Sequence, residues 1–467
     1  IQRVASAIFQ ETQMTVTHVI PTKSSVRPAV PTKMYAVPGS VSPAASELPT
    51  PRTKNNSAWT LTTISPSTHV LNVPKASYVR ATLSARFSPA EHDVATIMTS
   101  SMGKGTVGHG RSTTATLMAL HTERSFSHDH EFVHMSMAMP VSIASLQEAT
   151  NIMFNQEWLQ PGFSSEIVEL QKRHHIAEIH ALKKDQGFQT KSQFIQALFT
   201  RTKYHIPLDT RADAISKLSV DDVSEFHAKW IQSSADTYVT MVTPTAEVAR
   251  MLGNIFPVHD KRPNTTLEWT AKPRAKSDKH IRLAGFGSFQ IMMGQTVSVL
   301  PFTKESIALE CAATILGGGM TARLMHTVRE LRGLGTYGLY AGIQHVSPKS
   351  PVIFCVQGTF SPTSLQDGLE CTRQIVGEWA RDGVTPVELA TAKTHILGSK
   401  VIAADTVDNL HSMVLHHILN QRPTESSFKR YNDILKSLTL EDVNGALRRH
   451  IDPTAFASVV VGPPQDR

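Results

Sequence analysis

Long apolar runs, aromatic residues and cysteines are all scarce in this chain of 467 residues. The longest apolar stretches, such as 459–461 or 307–316 with Glu310 inside it, fall far short of the roughly 20 residues that a membrane-crossing helix needs. A helical span of its own is therefore excluded, and the expected protein is soluble or peripheral to a membrane. The three cysteines, Cys311, Cys355 and Cys371, lie far apart in the second half. They fit neither a disulfide framework nor a cysteine zinc site, and a reducing compartment suits them best. Aromatic residues make up 6% of the chain and the net charge is +7, but Lys and Arg are scattered rather than interleaved with aromatics. A nucleic-acid platform needs that interleaving, so no nucleic-acid partner is expected.

Acidic residues are nearly missing from residues 1–56, where Glu11 and Glu47 are the only ones. Pro21, Pro28, Pro31, Pro38, Pro43, Pro49 and Pro51 stand there among Ser, Thr and Val, the composition of an extended arm rather than a domain. The basic, hydroxyl-rich character resembles a mitochondrial targeting region or the stretch just after one. A second polar stretch, 258–280, reads as a linker.

What the chain does contain is a repeat of itself. Leu438-Thr439-Leu440-Glu441-Asp442-Val443 answers Leu218-Ser219-Val220-Asp221-Asp222-Val223, 220 positions apart (438 against 218). Each copy continues through an amphipathic stretch into a β-rich run, 238–242 in the first and 456–461 in the second. A period so long implies two tandem domains of one fold, each large enough to bury a core. In the first half, Ser88-Pro89-Ala90-Glu91 is a helix start and Met135, Met137 and Met139 alternate as in a strand. Residues from Ser164 predict a long helix with Ile167, Leu170, Ile176 and Ile179 on one face. In the second half a helix follows Gly317-Gly318-Gly319, with Leu324, Val328 and Leu331 on one face. Strands and helices mixed and repeated twice give an α+β fold class.

Three patterns have the look of chemistry without its context. His130-Glu131-Phe132-Val133-His134 matches HExxH, which holds zinc only on a helix. The segment leads into the alternating Met strand, where its two His lie roughly 13 Å apart, too far for one metal. His174 and Glu178 sit one helical turn apart, a possible chelating pair, but the segment offers no third ligand and a solvated face is the simpler reading. Gly103-Lys104-Gly105-Thr106-Val107-Gly108 matches a dinucleotide fingerprint yet follows a helix instead of opening one, as a turn would.

The fourth pattern is specific. Ile315-Leu316-Gly317-Gly318-Gly319-Met320-Thr321-Ala322-Arg323-Leu324, continued by Val328-Arg329-Glu330-Leu331-Arg332-Gly333-Leu334-Gly335-Thr336-Tyr337, resembles the second-domain signature of the pitrilysin/insulinase metallopeptidase family. The likeness is greatest to its mitochondrial processing peptidase and complex III core protein branch. Gly383-Val384-Thr385-Pro386-Val387-Glu388-Leu389-Ala390, then 392–393 and 397–400, resembles that family's late helix pair, and 459–463 its closing strand.

The resemblance implies a domain order: an arm over 1–56, a first peptidase-like domain over 57–257, a linker over 258–280 and a second domain over 281–467. Each domain is expected to be an antiparallel sheet covered by helices. The family cuts peptides with zinc held by an inverted HxxEH helix and a distant Glu, the motif's own Glu serving as general base. Placing the family's Lys-Gly-Thr tail on 104–106 puts Thr96, Thr99 and Ser100 where the two His and the base should stand, and Glu178 at the third ligand position. One carboxylate does not hold Zn²⁺. No catalytic residue, metal or cofactor is therefore expected. Arg329 and Tyr337 correspond to residues that steady the substrate, although Gly335-Thr336 adds a residue to their interval.

The implied role is a non-catalytic core subunit of mitochondrial respiratory complex III, on the matrix side of the inner membrane, paired with a homologous subunit and other complex III subunits. The alternatives are the non-catalytic partner in the heterodimeric processing peptidase, or a scaffold in another mitochondrial assembly.

Overall fold

A computed structural model describes residues 59–464 except 66, 75, 105–109, 130, 201–207, 233–236, 256–269, 272–275, 301, 336–337, 346–351, 405 and 420–424. The arm over 1–56 lies outside them. The described residues form two large sheets, each laid down by one half of the chain, and one short pair of strands.

The first half supplies β1 (Thr60–Ser65), β2 (Thr68–Asn72), β3 (Tyr78–Arg86), β4 (Glu123–His128), β5 (Phe132–Pro140) and β7 (Thr237–Thr243), ordered β1-β2-β7-β3-β5-β4. The second supplies β9 (Ser277–Arg282), β10 (Phe289–Val297), β11 (Tyr340–His345), β12 (Val352–Phe360) and β13 (Ala457–Gly462), ordered β11-β12-β10-β13-β9. Taken from its other edge, β9-β13-β10-β12-β11 repeats β2-β7-β3-β5-β4. The pairing repeats as well: β2 runs parallel to β7 and β9 parallel to β13, while the other pairs are antiparallel. The expectation of wholly antiparallel sheets is corrected at that one position in each. A short pair, β6 (Phe199–Thr200) with β8 (Thr270–Ala271), stands apart. Because β9 starts at Ser277, the last residues of the expected linker belong to the second sheet.

The helices of the first half are α1 (His92–Ser101), α2 (Gly110–Ala119), α3 (Ile143–Asn151), α4 (Ser165–Leu182), α5 (Gln186–Leu198), α6 (Leu208–Lys217), α7 (Val220–Gln232) and α8 (Ala246–Ile255). Those of the second are α9 (Lys304–Gly317), α10 (Leu365–Asp382), α11 (Pro386–Ala403), α12 (Val407–Leu419), α13 (Glu425–Ser437) and α14 (Leu440–His450). The sequence repeat marks α7 and α14. Ser219 Oγ accepts from the Asp222 N–H at 3.1 Å while Asp222 accepts from the Ser219 N–H at 2.7 Å. Thr439 and Asp442 make the same reciprocal pair at 3.1 and 2.8 Å. Each box satisfies backbone donors that a helix start leaves open. Lys172 on α4 donates to Leu218 O at 2.7 Å, and Lys393 on α11 to Leu438 O at 2.6 Å, so the duplication reaches the side chains in front of each box.

One face of each sheet carries its own half's helices. Val79, Leu83, Met135, Met137 and Met241 meet Ile97, Met98, Val168 and Phe226 in the first core; Ile291, Phe354, Val356 and Val460 meet Leu316, Trp379 and Leu447 in the second. The other face of each sheet is covered by a helix from the opposite half. Phe194 and Leu198 of α5 pack with Met292, Ile353, Cys355, Val459 and Val461, while Leu410, Val414 and Ile418 of α12 pack with Leu71, Phe132, Tyr238 and Val242. The central strands are consequently buried on both faces, every residue of β7 and β13 included. That is why neither β7 nor β13 carries a charged residue or the strict alternation of a strand with one solvent face.

Two helical expectations are adjusted. Leu170 on α4 is 39% exposed, and the buried face is carried by Val168 and Ile179. The segment after the glycine triplet is a π-helix over Met325–Leu331; its wider i→i+5 turn keeps Leu324 and Val328 inside and rotates Leu331 out to 68% exposure. Gly317 lets α9 approach β11, since a Cβ there would overlap the Ala341 backbone nitrogen. Arg323 then ties the signature to the late helix pair, donating twice to Glu388 at 2.7 Å and once to Gly383 O at 2.9 Å. Among the described residues no helix is long and apolar enough to cross a membrane.

The exchanged helices generate two predictions. Phe194→Ala should cost about 3–5 kcal/mol and lower both halves in one urea transition; separate transitions, with the first half untouched, would contradict the coupling. The second concerns acid. His411 of α12 is buried against Thr240 O at 3.3 Å, and burial pulls its pKa from 6.5 down to about 4. Below pH 6.5 the unfolded chain takes up a proton that the folded chain refuses until about pH 4, so this residue's share of stability is present above 6.5 and lost as pH falls to 4. Melting temperature followed over that window should fall less steeply in His411→Gln than in the parent chain.

Candidate functional site

Helix α1 opens on a turn at Pro89–Glu91, whose Glu91 side chain accepts from the Ser88 N–H at 3.3 Å. It closes on Gly103, which takes φ +72° and so suits a residue without Cβ. This is the turn expected for the start of the 103–108 pattern; residues 105–108 fall outside the described ones. Arg124 on β4 holds the turn, donating to Gly103 O and Thr114 Oγ1 at 2.9 Å each and pairing with Glu157, which is fully buried. Burial lowers the pKa of this guanidinium.

Thr96, Thr99 and Ser100 share the face of α1 that meets β4 and α4. Thr96 Oγ1 lies 3.0 Å from His128 Nε2 and Thr99 Oγ1 3.1 Å from His128 Nδ1, at the end of β4. The same hydroxyls are 2.8 Å from His92 O and 2.9 Å from Ala95 O, the backbone carbonyls one turn back. Ser100 Oγ lies 2.6 Å from His175 Nε2 on α4, and His175 Nδ1 lies 2.7 Å from Glu178 Oε2. Beyond them the His92 and His128 rings stand 5.0 Å apart, edge to face. Arg211 of α6 donates to Asp93 at 2.8 Å and lies 3.3 Å from His92 Nδ1. Burial, helped by the Arg211 and Lys104 cations, holds His175 below the ordinary imidazole range against the pull of Glu178.

Glu178 is thus joined to Ser100, but through His175. His174, the residue paired with it on helical spacing, is exposed. Spacing of three along a helix brings side chains together as well as spacing of four, and the burial of one His decides between them. Nothing in the sequence points to His92, His128, Asp93 and Arg211, since strand end and helix start meet only in the fold. Arg329 sits on the π-helix of the second half, paired with Glu330; Tyr337 lies outside the described residues. Of the HExxH pattern, His130 is also outside them. Glu131 binds Arg86 at 2.7 Å, and His134 on β5 bonds to Ser84 Oγ at 2.8 Å, a strand as expected.

The donor set does not fit zinc. Neutral hydroxyls are weak ligands for it, and the imidazoles of His128 and His175 are turned to those hydroxyls. No group of three His, Cys, Asp or Glu that could hold a metal ion occurs among the described residues.

Residues 217–396 match the family model of the peptidase M16 inactive domain. A Mycobacterium tuberculosis protein described as an uncharacterized zinc protease is 29% identical over 159 residues, 33% of this chain and 34% of that protein. The match thus spans only about a third of that relative's length. The non-peptidase homolog YmxG of Helicobacter pylori is 23% identical over 315 residues, 64% of this chain and 69% of that protein. The crystal structure of a peptidase M16 inactive domain from Pseudomonas fluorescens superposes with a TM-score of 0.74 at 18% identity, covering 87% of this chain and 98% of that one. A Helicobacter pylori protease superposes at 0.73 and 12% identity, covering 87% and 99%. These findings make the chain similar to the peptidase M16 inactive-domain family, pitrilysin/insulinase-like, whose matching relatives are named both as a non-peptidase homolog and as zinc proteases. They lend no support to the mitochondrial branch, because these relatives are bacterial.

Metal analysis of the folded chain after dialysis against zinc-free buffer should find no stoichiometric zinc. One zinc per chain, lost on Glu178→Gln, would reverse this reading of the site.

Proposed function

We propose that this M16-like chain does not cleave peptides with zinc and works instead by association, as one subunit paired with a homologous chain. The observation that carries the reading is the exchange of chemistry on α1. Thr96, Thr99 and Ser100 stand where the family resemblance places two imidazoles and a general base, and they are bonded into the fold by His128 and His175. The packing signature of the second half is meanwhile intact, from Gly317 against β11 to Arg323 on Glu388. A chain with these two properties keeps what is needed to fold and to present a surface.

Apolar side chains remain uncovered in the second half: Val387 is 76%, Val401 72%, Ile402 73% and Leu331 68% exposed. They favour an association that buries some of them. The finer form of the proposal, a matrix-side core subunit of mitochondrial complex III, rests on the sequence resemblance of 315–337 and 383–400 and on the acid-poor arm over 1–56. The processing-peptidase partner and the scaffold in another mitochondrial assembly rest on the same residues. Proteins that copurify in stoichiometric amounts distinguish them: haem-bearing subunits for complex III, a zinc-bearing homologue for the peptidase, other components for the scaffold.

An obligate pairing should bury upwards of roughly 2,000 Å². Expressed alone, the chain should therefore aggregate or self-associate, and coexpression with its homologous partner should yield a defined heteromer by light scattering. A well-behaved monomer at micromolar concentration would count against the proposal.

A further inference from the structure

Ser100, His175 and Glu178 form a continuous chain of hydrogen bonds where α4 crosses α1, 2.6 Å from Ser100 Oγ to His175 Nε2 and 2.7 Å from His175 Nδ1 to Glu178 Oε2. An ionised carboxylate only accepts, so Nδ1 of the neutral ring carries the proton and Nε2 is left with its lone pair. The Ser100 hydroxyl then donates to Nε2, giving up its alternative acceptor, Thr96 O at 2.7 Å. Nucleophile, base and orienting carboxylate stand in the order that activates a hydroxyl.

We propose that Ser100 is a nucleophile for acyl transfer, with His175 as its general base and Glu178 as the positioning residue, acting on esters with good leaving groups such as aryl esters. This goes beyond the association reading and is independent of it. As Ser100 Oγ bonds to the acyl carbon its proton passes to His175 Nε2; the carbon–oxygen bond to the alcohol breaks and that proton leaves with the alcohol. Water, as the second reactant, then attacks the acyl-serine, gives a proton to Nε2, and the acid departs as the proton returns to Ser100 Oγ. Atoms balance as ester hydrolysis.

The substrate class follows from what surrounds the serine. Ser100 occupies the last turn of α1, where the neighbouring backbone N–H groups are committed to helix carbonyls, Met102 to Met98 O at 3.0 Å and Lys104 to Ser101 O at 3.3 Å, and so do not serve a developing oxyanion. A single such donor is worth roughly 10²–10³ in rate, which an amide substrate needs and an aryl ester does without. The positive charge nearby comes from Lys104, which donates to Gln171 of α4 at 3.0 Å, and from Arg211. With Glu178 on its own helix, these are the charged groups acting on the His175 ring.

A second chain of the same residue types, Ser84 to His134 at 2.8 Å and His134 to Asp129 at 3.4 Å, supplies the contrast. Ser84 is fully buried within β3, where no substrate reaches, whereas Ser100 is half-buried on a helix.

The test treats the full chain with a fluorophosphonate, locates the adduct by peptide mass spectrometry, and follows aryl acetate hydrolysis beside it. The adduct should fall on Ser100, and Ser100→Ala should abolish it while Ser84→Ala leaves it unchanged. His175→Gln should slow labelling by roughly 10²–10⁴-fold. Glu178→Gln, a change to a largely exposed carboxylate, should slow labelling and move its pH midpoint lower, because the charge that supports the protonated ring is gone. A merely structural role for Glu178 would leave the midpoint where it was. No adduct on the folded chain, an adduct elsewhere, or undiminished labelling in either variant would overturn the proposal. Light scattering on the same samples reports on association separately.

Discussion

The exchange of α5 and α12 between the halves is the constraint on which the rest of the structure depends. A sheet with helices on one face leaves its other face in need of cover when its strands carry no charged residue, as β7 and β13 carry none. Each half answers this by lending a helix to the other: Phe194 and Leu198 cover the second sheet, Leu410 and Val414 the first. The two halves therefore share one folding problem, and neither central strand reaches its burial without the partner half. Polar contacts fix the seating. Gln186 at the start of α5 donates to Ser288 O at 2.7 Å and Val461 O at 2.8 Å, and Asp408 at the start of α12 meets Arg80 of β3 at 2.5 Å.

This arrangement reaches the candidate site through α4. Helix α4 ends at Leu182 and α5 begins at Gln186 with Asp185 as its N-cap, accepting from the Phe188 N–H at 2.6 Å. Three residues thus connect the helix that carries His175 and Glu178 to the helix anchored on the opposite sheet. So short a joint leaves α4 little freedom to slide along α1, and Lys172, bonded to Leu218 O, pins its middle. The spacing between Ser100 and His175 is set by the middle of α4 and by its C-terminal joint to α5, which packs on the second sheet.

Much of this was legible in the sequence, and for identifiable reasons. The hexapeptide repeat showed the duplication because a capping box fixes residue types at a helix start, Ser219 with Asp222 and Thr439 with Asp442, whatever the surroundings do. The Met135, Met137 and Met139 alternation gave β5, and the context of His134 disposed of a helical zinc motif. The parallel pairs were not legible, since strand direction depends on partners far apart in the chain, Thr68 with Val239 and Ser277 with Ala457. Nor was the outward turn of Leu331: a π-helix is a backbone choice that apolar spacing does not encode. At the site, the resemblance located Thr96, Thr99, Ser100 and Glu178, but His128 and His175 emerge only when β4 and α4 are laid against α1.

Replacing metal ligands by hydroxyls has a physical logic of its own. Two imidazoles and a carboxylate facing each other without a cation would leave buried nitrogens and a buried charge short of partners, a cost of order 1–3 kcal/mol per group. Thr96 and Thr99 avoid it because each hydroxyl lies within reach of a helix carbonyl one turn back and of a ring nitrogen of His128, and Ser100 because it meets His175 Nε2. Helix α1 thereby keeps its packing on β4 and α4 with no ion between them. The histidines that surround it are then held by oxygen rather than by metal, and the one that also meets a carboxylate, His175, becomes a base with a serine in front of it.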